Sequence, residues 1–170
     1  LLSRLPSLFR NNPSASKHYG LDSDVRSFRT DANRNGIVDG TDKVYLFFGM
    51  GRGGSNYYAL HVTNKNSPRH LWTLGPTQLP GLGQTWAAPV MTRLIVRNGP
   101  TQNADKLALV LSGGYDSTQD NDSTTSLYNT DSVGNRLFIV GAVSGALLWV
   151  GGGPGVRNDE RNLSLTKMTN

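Results

Sequence analysis

From Val25 onward, short apolar runs of roughly four to eight residues alternate with clusters of Gly, Pro, Asn, Asp and Ser. That rhythm predicts strands joined by turns. Candidate strands are Val25–Phe28, Val44–Phe48, Asn56–Thr63, Met91–Val96, the run after Lys106, and the run after Asn135. The runs also repeat. KVYLFFGMG (Lys43–Gly51) followed by NYYALHVTNKNSPRHLWTL (Asn56–Leu74) has a second copy in KLALVLSGG (Lys106–Gly114) followed by NRLFIVGAVSGALLWVG (Asn135–Gly151). Each copy reads as an apolar strand ending in glycines, a loop, a strand, a tight turn and a strand carrying Leu-Trp. The extra length of the second copy falls in the loop Tyr115–Gly134.

Strands at this spacing imply an all-β fold, and the internal repeat points to a β-propeller; its Tyr-Ala-Leu-x-Val and Gly-x-Leu-Leu-Trp patterns resemble quinoprotein-like blades. One blade cannot bury both faces of its sheet, so blades need neighbours. Two recognisable units are too few for a ring of about four or more blades. The expectation is therefore an incomplete arc of a larger propeller. Residues 1–17 read as an irregular lead-in whose Leu5, Leu8 and Phe9 dock on the core, and residues 18–170 as the partial propeller domain.

Before the first copy lies a stretch of different character, Asp31-Ala-Asn33-Arg-Asn35-Gly36-Ile37-Val-Asp39-Gly-Thr-Asp42. Side-chain oxygens fall at positions 1, 3, 5 and 9 of a calcium loop, glycine at position 6 permits the sharp turn, and Ile37 offers a main-chain carbonyl at position 7. Asp42 occupies position 12. The expected ligands of one Ca2+ are Asp31, Asn33, Asn35, Ile37, Asp39 and Asp42. All are hard oxygen donors, which select calcium over softer-ligand metals. Asn at two positions and Asp at position 12 predict modest affinity. The segments flanking the loop are β-like, so it is strand-flanked and not part of a helix-loop-helix hand.

Composition narrows the remaining choices. The chain has 170 residues with 20 Gly and 8 Pro, favouring turns and short strands over helices. The net charge of +5 comes from scattered basic residues without a run, which argues against a nucleic-acid interface. The acids are almost all Asp and concentrate in loops, as ligands and turn residues do. There is no cysteine, so neither a disulfide framework nor a thiolate metal site exists in this sequence. No apolar run reaches the length of a membrane span, and LLSRLPSLF is too short and interrupted for a signal peptide.

Other motifs carry less. Gly49-Met-Gly51-Arg-Gly53-Gly54 matches G-x-G-x-x-G, but a strand follows it instead of a helix, so a glycine hairpin is the better reading. Asp116, Asp120 and Asp122 are candidates for a second cation site, though their spacing fits no standard loop. His18, His61 and His70 lack zincin spacing, and there is no G-x-S-x-G elbow. Trp72, Trp86 and Trp149 read as core residues between blades, with sugar or quinone stacking as the alternative. No catalytic residue is identified, and the chain is expected not to be an enzyme.

Four co-linear segments, FFGMGRGGSNYYALHVTNKNSPRHLW, LGQTWAAPV, SGGYDSTQDN and GNRLFIVGAVSGALLW, resemble the C-terminal propeller domain of the PilY family, over roughly Tyr19–Val150. The Asp31–Asp39 loop is similar to that family's D-x-D-x-D-G-x-x-D calcium loops, with Asn33 and Asn35 replacing two aspartates. His61 stands where the family's YYALDVT motif has Asp, and Gly141 where IVDA is usual. The resemblance implies a secreted, non-catalytic, calcium-binding component of type IV pilus biogenesis, at the pilus tip or outer membrane surface. Its implied partners are minor pilins and a host surface receptor, and calcium occupancy would bias pilus extension against retraction. Two alternatives stand beside it: a quinone-dependent dehydrogenase propeller, and a non-catalytic periplasmic scaffold propeller that binds only proteins.

Overall fold

The computed structural model describes residues 2–10, 17–98, 102–120 and 131–152. Among them, eight strands form two four-stranded antiparallel sheets in which every strand pairs with its neighbour in sequence. The first sheet is β1 (Val25–Arg29), β2 (Val44–Phe48), β3 (Tyr57–His61) and β4 (Arg69–Leu74). The second is β5 (Val90–Asn98), β6 (Gln102–Ser112), β7 (Leu137–Gly141) and β8 (Leu147–Gly151). The repeated motifs are thus β2–β4 and β6–β8, and the structure adds β1 and β5 as the matching first strands. A register shift recurs at the same place in both sheets. It lies between Ala59 and Leu60, next to the pair Ala59–Trp72, and between Ile139 and Val140, next to the pair Ile139–Trp149. The all-β expectation holds; the sheets are open, and no ring closes among the described residues.

How the sheets meet follows from which face each one buries. The first sheet buries Phe47, Tyr57, Ala59 and Trp72, whereas the second buries Leu109, Leu111, Phe138 and Val140. When the repeats are superposed on their tryptophans, Phe47, Ala59 and Trp72 correspond to Val110, Ile139 and Trp149. Those three second-sheet residues lie on the far face and are only partly buried. Conversely, Phe48, Tyr58 and Leu60 of the first sheet match Leu111, Phe138 and Val140 and remain partly exposed. The front of one sheet therefore packs on the back of the next, a head-to-tail contact that can be continued at both ends. A sandwich with like faces inward would have buried the two tryptophans together.

Polar contacts fix this arrangement. The Trp72 indole Nε1 donates to the Ala142 carbonyl at 2.9 Å, across the interface. The β7–β8 turn lies against the same ring: Gly145 has φ +68°, and a Cβ there would fall 2.8 Å from Trp72 Cγ. Phe47 stacks on the other side, with ring centroids 6.1 Å apart. Tyr57 donates its hydroxyl toward the Ala87 and Ser112 carbonyls, at 3.4 and 3.3 Å. Thr85, buried in the connection between the sheets, accepts the Met50 amide at 2.8 Å and donates to the Asn56 carbonyl at 2.9 Å. Gly49 is required beside it, since a Cβ would collide with the Thr85 carbonyl.

Two expectations need correcting. The described start of the lead-in is helical, with a 3-10 turn over Leu2–Arg4 and a helix α1 over Leu5–Arg10. Its apolar side chains do not dock: Leu5 and Leu8 are exposed and Phe9 is 91% exposed. Six residues give too few turns to present an apolar face, and the attachment is polar instead, through Arg4 Nη1 to the Tyr19 and Gly53 carbonyls. The tryptophans also divide. Trp72 is 7% exposed and is an inter-sheet residue as expected, but Trp86 is 44% exposed and Trp149 is half-buried on the face turned away from the first sheet.

Trp72→Ala should cost about 3–5 kcal/mol of stability in denaturant titration, because it removes a large core side chain and leaves the Ala142 carbonyl without its indole donor. Gly145→Val should also destabilise, since it adds a clash with the indole to a left-handed backbone. Trp149→Ala, on the face turned away from the first sheet, should cost less than Trp72→Ala when both are measured in this chain.

Candidate metal centre

The oxygen-rich loop connects β1 to β2, whose pairing ends at Arg29 opposite Val44. Its neck is closed by Thr30 N donating to the Lys43 carbonyl at 2.9 Å and Lys43 N to Thr30 Oγ1 at 2.7 Å. Inside the neck, short Asp and Asn side chains reach neighbouring amides, as those residue types do in turns. Asp31 accepts from Asn35 N at 3.1 Å through Oδ1 and from Gly36 N at 3.0 Å through Oδ2. Asn33 Oδ1 accepts from Asn35 N at 3.3 Å, and Asn35 Oδ1 from Ile37 N at 2.8 Å. The tight path needs left-handed backbone at Arg34 (φ 58°) and Gly36 (φ 78°).

Asp39 completes the convergence. Its Oδ1 accepts from Asn33 Nδ2 at 2.9 Å and its Oδ2 from Asn35 Nδ2 at 2.7 Å. Asp31, Asn33, Asn35 and Asp39 are therefore brought onto one side of a folded loop. Arg29 approaches the same loop, with Nη2 3.3 Å from Asp31 Oδ2 and Nη1 donating to the Gly36 carbonyl at 2.7 Å. Ile37 is exposed at the loop.

Asp42 is placed differently from its expected neighbours. It is 2% exposed, and its oxygens accept from Ala32 N at 2.9 Å and Asp39 N at 3.4 Å. That is the geometry of a buried staple across the loop base. Among the described residues no three His, Cys, Asp or Glu side chains gather at one point. A cation here would rely on the carboxylates of Asp31 and Asp39 together with the amide oxygens of Asn33 and Asn35 and the Ile37 carbonyl. That mixture of hard oxygens fits calcium chemically, and rotation of the two Asn amides would turn oxygens toward Asp39 in place of NH2 groups.

The second acidic cluster does other work. Asp116 is 4% exposed and accepts five hydrogen bonds, from Thr118 N and Oγ1, Ser132 N and Oγ, and Val133 N, at 2.6–3.2 Å. It ties the two ends of the β6–β7 connection together. Burial pushes its pKa up, but the hydrogen bonds from Thr118 and Ser132 outweigh this and hold it well below the usual carboxylate range. Asp120 instead accepts from the Tyr115 hydroxyl at 2.6 Å, and Asp122 lies outside the described residues. Nothing in the sequence marked Asp116 as an anchor; the Thr and Ser that bond to it are separated by the long insert.

The remaining sequence candidates have structural surroundings. The glycine cluster forms a 3-10 turn over Gly51–Gly53 that leads into β3, so no helix N-terminus follows. His61 lies against the Tyr45 ring, centroids 5.2 Å apart, and bonds to Thr63 Oγ1 at 2.8 Å. Gly141 ends β7, with its amide on the Ala146 carbonyl at 2.8 Å.

Two consecutive antiparallel sheets with a stapled Asx loop at one end define an all-β module, and part of the chain is similar in sequence to a PilY1 protein. It is 32% identical over 69 residues to the Type IV pilus biogenesis factor PilY1 homolog of Xylella fastidiosa (strain Temecula1 / ATCC 700964). That match covers 36% of this chain and 6% of the relative, so the chain spans a small part of that protein. The crystal structure of the Pseudomonas aeruginosa PilY1 C-terminal domain is 26% identical, with a TM-score of 0.46, over 65% of this chain and 18% of the solved one. No protein-family model matches the chain.

Because the folded-state pKa of Asp116 is depressed, its contribution to stability is present above the unfolded value near 3.8 and is lost as pH falls below it. Asp116→Asn presents an NH2 group to amide donors and should destabilise the protein by about 1–3 kcal/mol at neutral pH. The loss should shrink toward pH 2–3, as read from urea titrations across the acid range.

Proposed function

We propose that this chain is a calcium-binding section of the propeller region of a type IV pilus biogenesis factor. Support for the pilus role is the 69-residue match to a protein named for that process. That relative is named as a biogenesis factor and not as an enzyme, in agreement with the expectation of no catalysis. In this reading the protein acts at the cell surface or pilus tip, associates with minor pilins and supports extension and adhesion. No helix among the described residues is long and apolar enough to cross a membrane.

The front-to-back packing supports the propeller reading. Each sheet has an apolar face left over: Leu46, Phe48, Tyr58 and Leu60 on the first, Val110, Leu137, Ile139 and Trp149 on the second. Further blades of the same kind would cover both. Trp149 would then donate to a following blade as Trp72 donates to Ala142. Calcium would occupy the β1–β2 loop, held by Asp31, Asn33, Asn35, Asp39 and the Ile37 carbonyl, with Asp42 keeping the loop closed from beneath. The observation that supports the metal assignment is the approach of both Asn side chains to Asp39, which brings three of the expected ligand residues together.

A ligand that binds only the folded state raises stability by about 2.7 kcal/mol at a hundredfold excess over its dissociation constant. Calcium should therefore raise the melting temperature of the full chain, and a chelator should reverse the shift. Asp31→Ala and Asp39→Ala should each abolish the calcium response, while Asp116→Ala lowers the melting temperature yet keeps it. Calorimetry without heat of binding at millimolar calcium, with melting indifferent to chelator, would remove the site.

Arg29 supplies a further check. Its guanidinium competes for the Asp31 carboxylate and the loop carbonyl at Gly36. Arg29→Ala should tighten calcium binding, by about 0.2–1 kcal/mol for loss of an exposed competing ion pair, and weaker binding in the same titration would contradict that role.

A further inference from the structure

At the end of the sheets opposite the metal loop lies a cleft of about 880 Å³, inside the roughly 300–1,000 Å³ range of small-ligand sites. Antiparallel pairing dictates this separation: the β2–β3, β4–β5 and β6–β7 connections emerge at one end, and the β1–β2 loop at the other. These three connections supply Arg52, then Gln84 and Trp86, then Tyr115 and Asp120.

The side chains are held in a definite order. The Arg52 guanidinium lies between two aromatic rings, 5.6 Å from the Tyr19 centroid and 5.2 Å from that of Trp86, and Nη1 donates to the Tyr19 hydroxyl at 3.3 Å. Trp86 donates Nε1 to Gln84 Oε1 at 3.1 Å, while the Tyr115 ring meets it edge-on, centroids 6.3 Å apart. The Tyr115 hydroxyl donates to Asp120 Oδ1. The backbone beneath is pinned by Gln84 and Tyr115, each donating its amide to the other's carbonyl at 2.8 Å. Trp86 is 44% exposed, so part of its indole is open to the cleft.

We propose that this cleft binds a saccharide carrying a carboxylate, its ring laid against the exposed part of the Trp86 indole, with the perpendicular Tyr115 ring at its edge and its acid group paired with Arg52. The apolar face of a pyranose matches the flat indole of Trp86, and its hydroxyls match the mixed donors and acceptors of Gln84, Tyr115 and Asp120. A guanidinium already flattened between two rings loses little further freedom when it forms the paired hydrogen bonds a carboxylate accepts. Asp120 disfavours polyanions such as nucleotides or polyphosphates. The cleft opens at strand ends, where an extended peptide finds no sheet edge to join. This assignment does not depend on the calcium site or on the pilus reading.

The test is calorimetry of the full chain with sialyllactose and a galacturonate oligomer, against lactose and the methyl ester of the galacturonate. Either acidic sugar should bind, and the neutral and esterified ones should bind at least about tenfold more weakly, equivalent to 1.4 kcal/mol. Trp86→Ala and Arg52→Gln should each weaken binding about tenfold or more while melting is unchanged, because both side chains are exposed. Asp39→Ala, which disables the metal loop, should leave saccharide affinity as it was. The proposal fails if neither acidic sugar binds, if the ester binds equally, if Trp86→Ala has no effect, or if an acidic peptide displaces the sugars with higher affinity.

Discussion

The insertion of Trp72 into the following sheet is the contact on which this structure depends. One indole fills the space between a strand and a turn, stacks on Phe47, and uses its only polar atom on a carbonyl of the neighbouring sheet. It needs a glycine at position 145, since any side chain there would occupy the ring's place. Because its repeat equivalent, Trp149, points away from this interface, the two sheets meet by unlike faces. Such a contact does not close on itself, and this directional packing, more than the strand count, supports the proposed arc of blades.

The same geometry separates the chemistry. In an antiparallel meander successive connections alternate ends, so the Asx loop and the aromatic cleft are held apart by the length of the sheets. The acids follow a common rule at both ends. Asp42 and Asp116 are buried only because backbone amides and hydroxyls meet their oxygens, which removes the cost of an unpaired charge. Asp has the short side chain that reaches its own turn, which accounts for its dominance over Glu in a protein made largely of connections.

Much of this was legible in the sequence, and the misses have physical causes. The paired strands were visible because apolar runs, glycines and Leu-Trp recur in order, and pairing then had few alternatives. The first strands β1 and β5 lay outside the repeat, because Val25–Arg29 and Val90–Asn98 share neither Trp nor terminal glycines. The helix at Leu5–Arg10 escaped because Pro6 suits a first turn but too few residues follow to show a period. The loop's spacing picked out Asp31, Asn33, Asn35 and Asp39, which hydrogen-bond to one another within the loop, yet spacing could not say that Asp42 turns inward. That depends on which amides the folded neck leaves without partners. Nor could composition distinguish the buried Trp72 from the exposed Trp86, since each sits in an apolar segment and only the packing of whole sheets decides between them.

The most direct test of the account is an experimental structure of the full-length protein at a resolution that shows side chains. The account predicts a four-stranded sheet against the Trp149 face, with the indole Nε1 bonded to a main-chain carbonyl of that sheet as Trp72 is to Ala142. A Trp149 face covered by a helix, by the like face of a second copy or by solvent alone would contradict it.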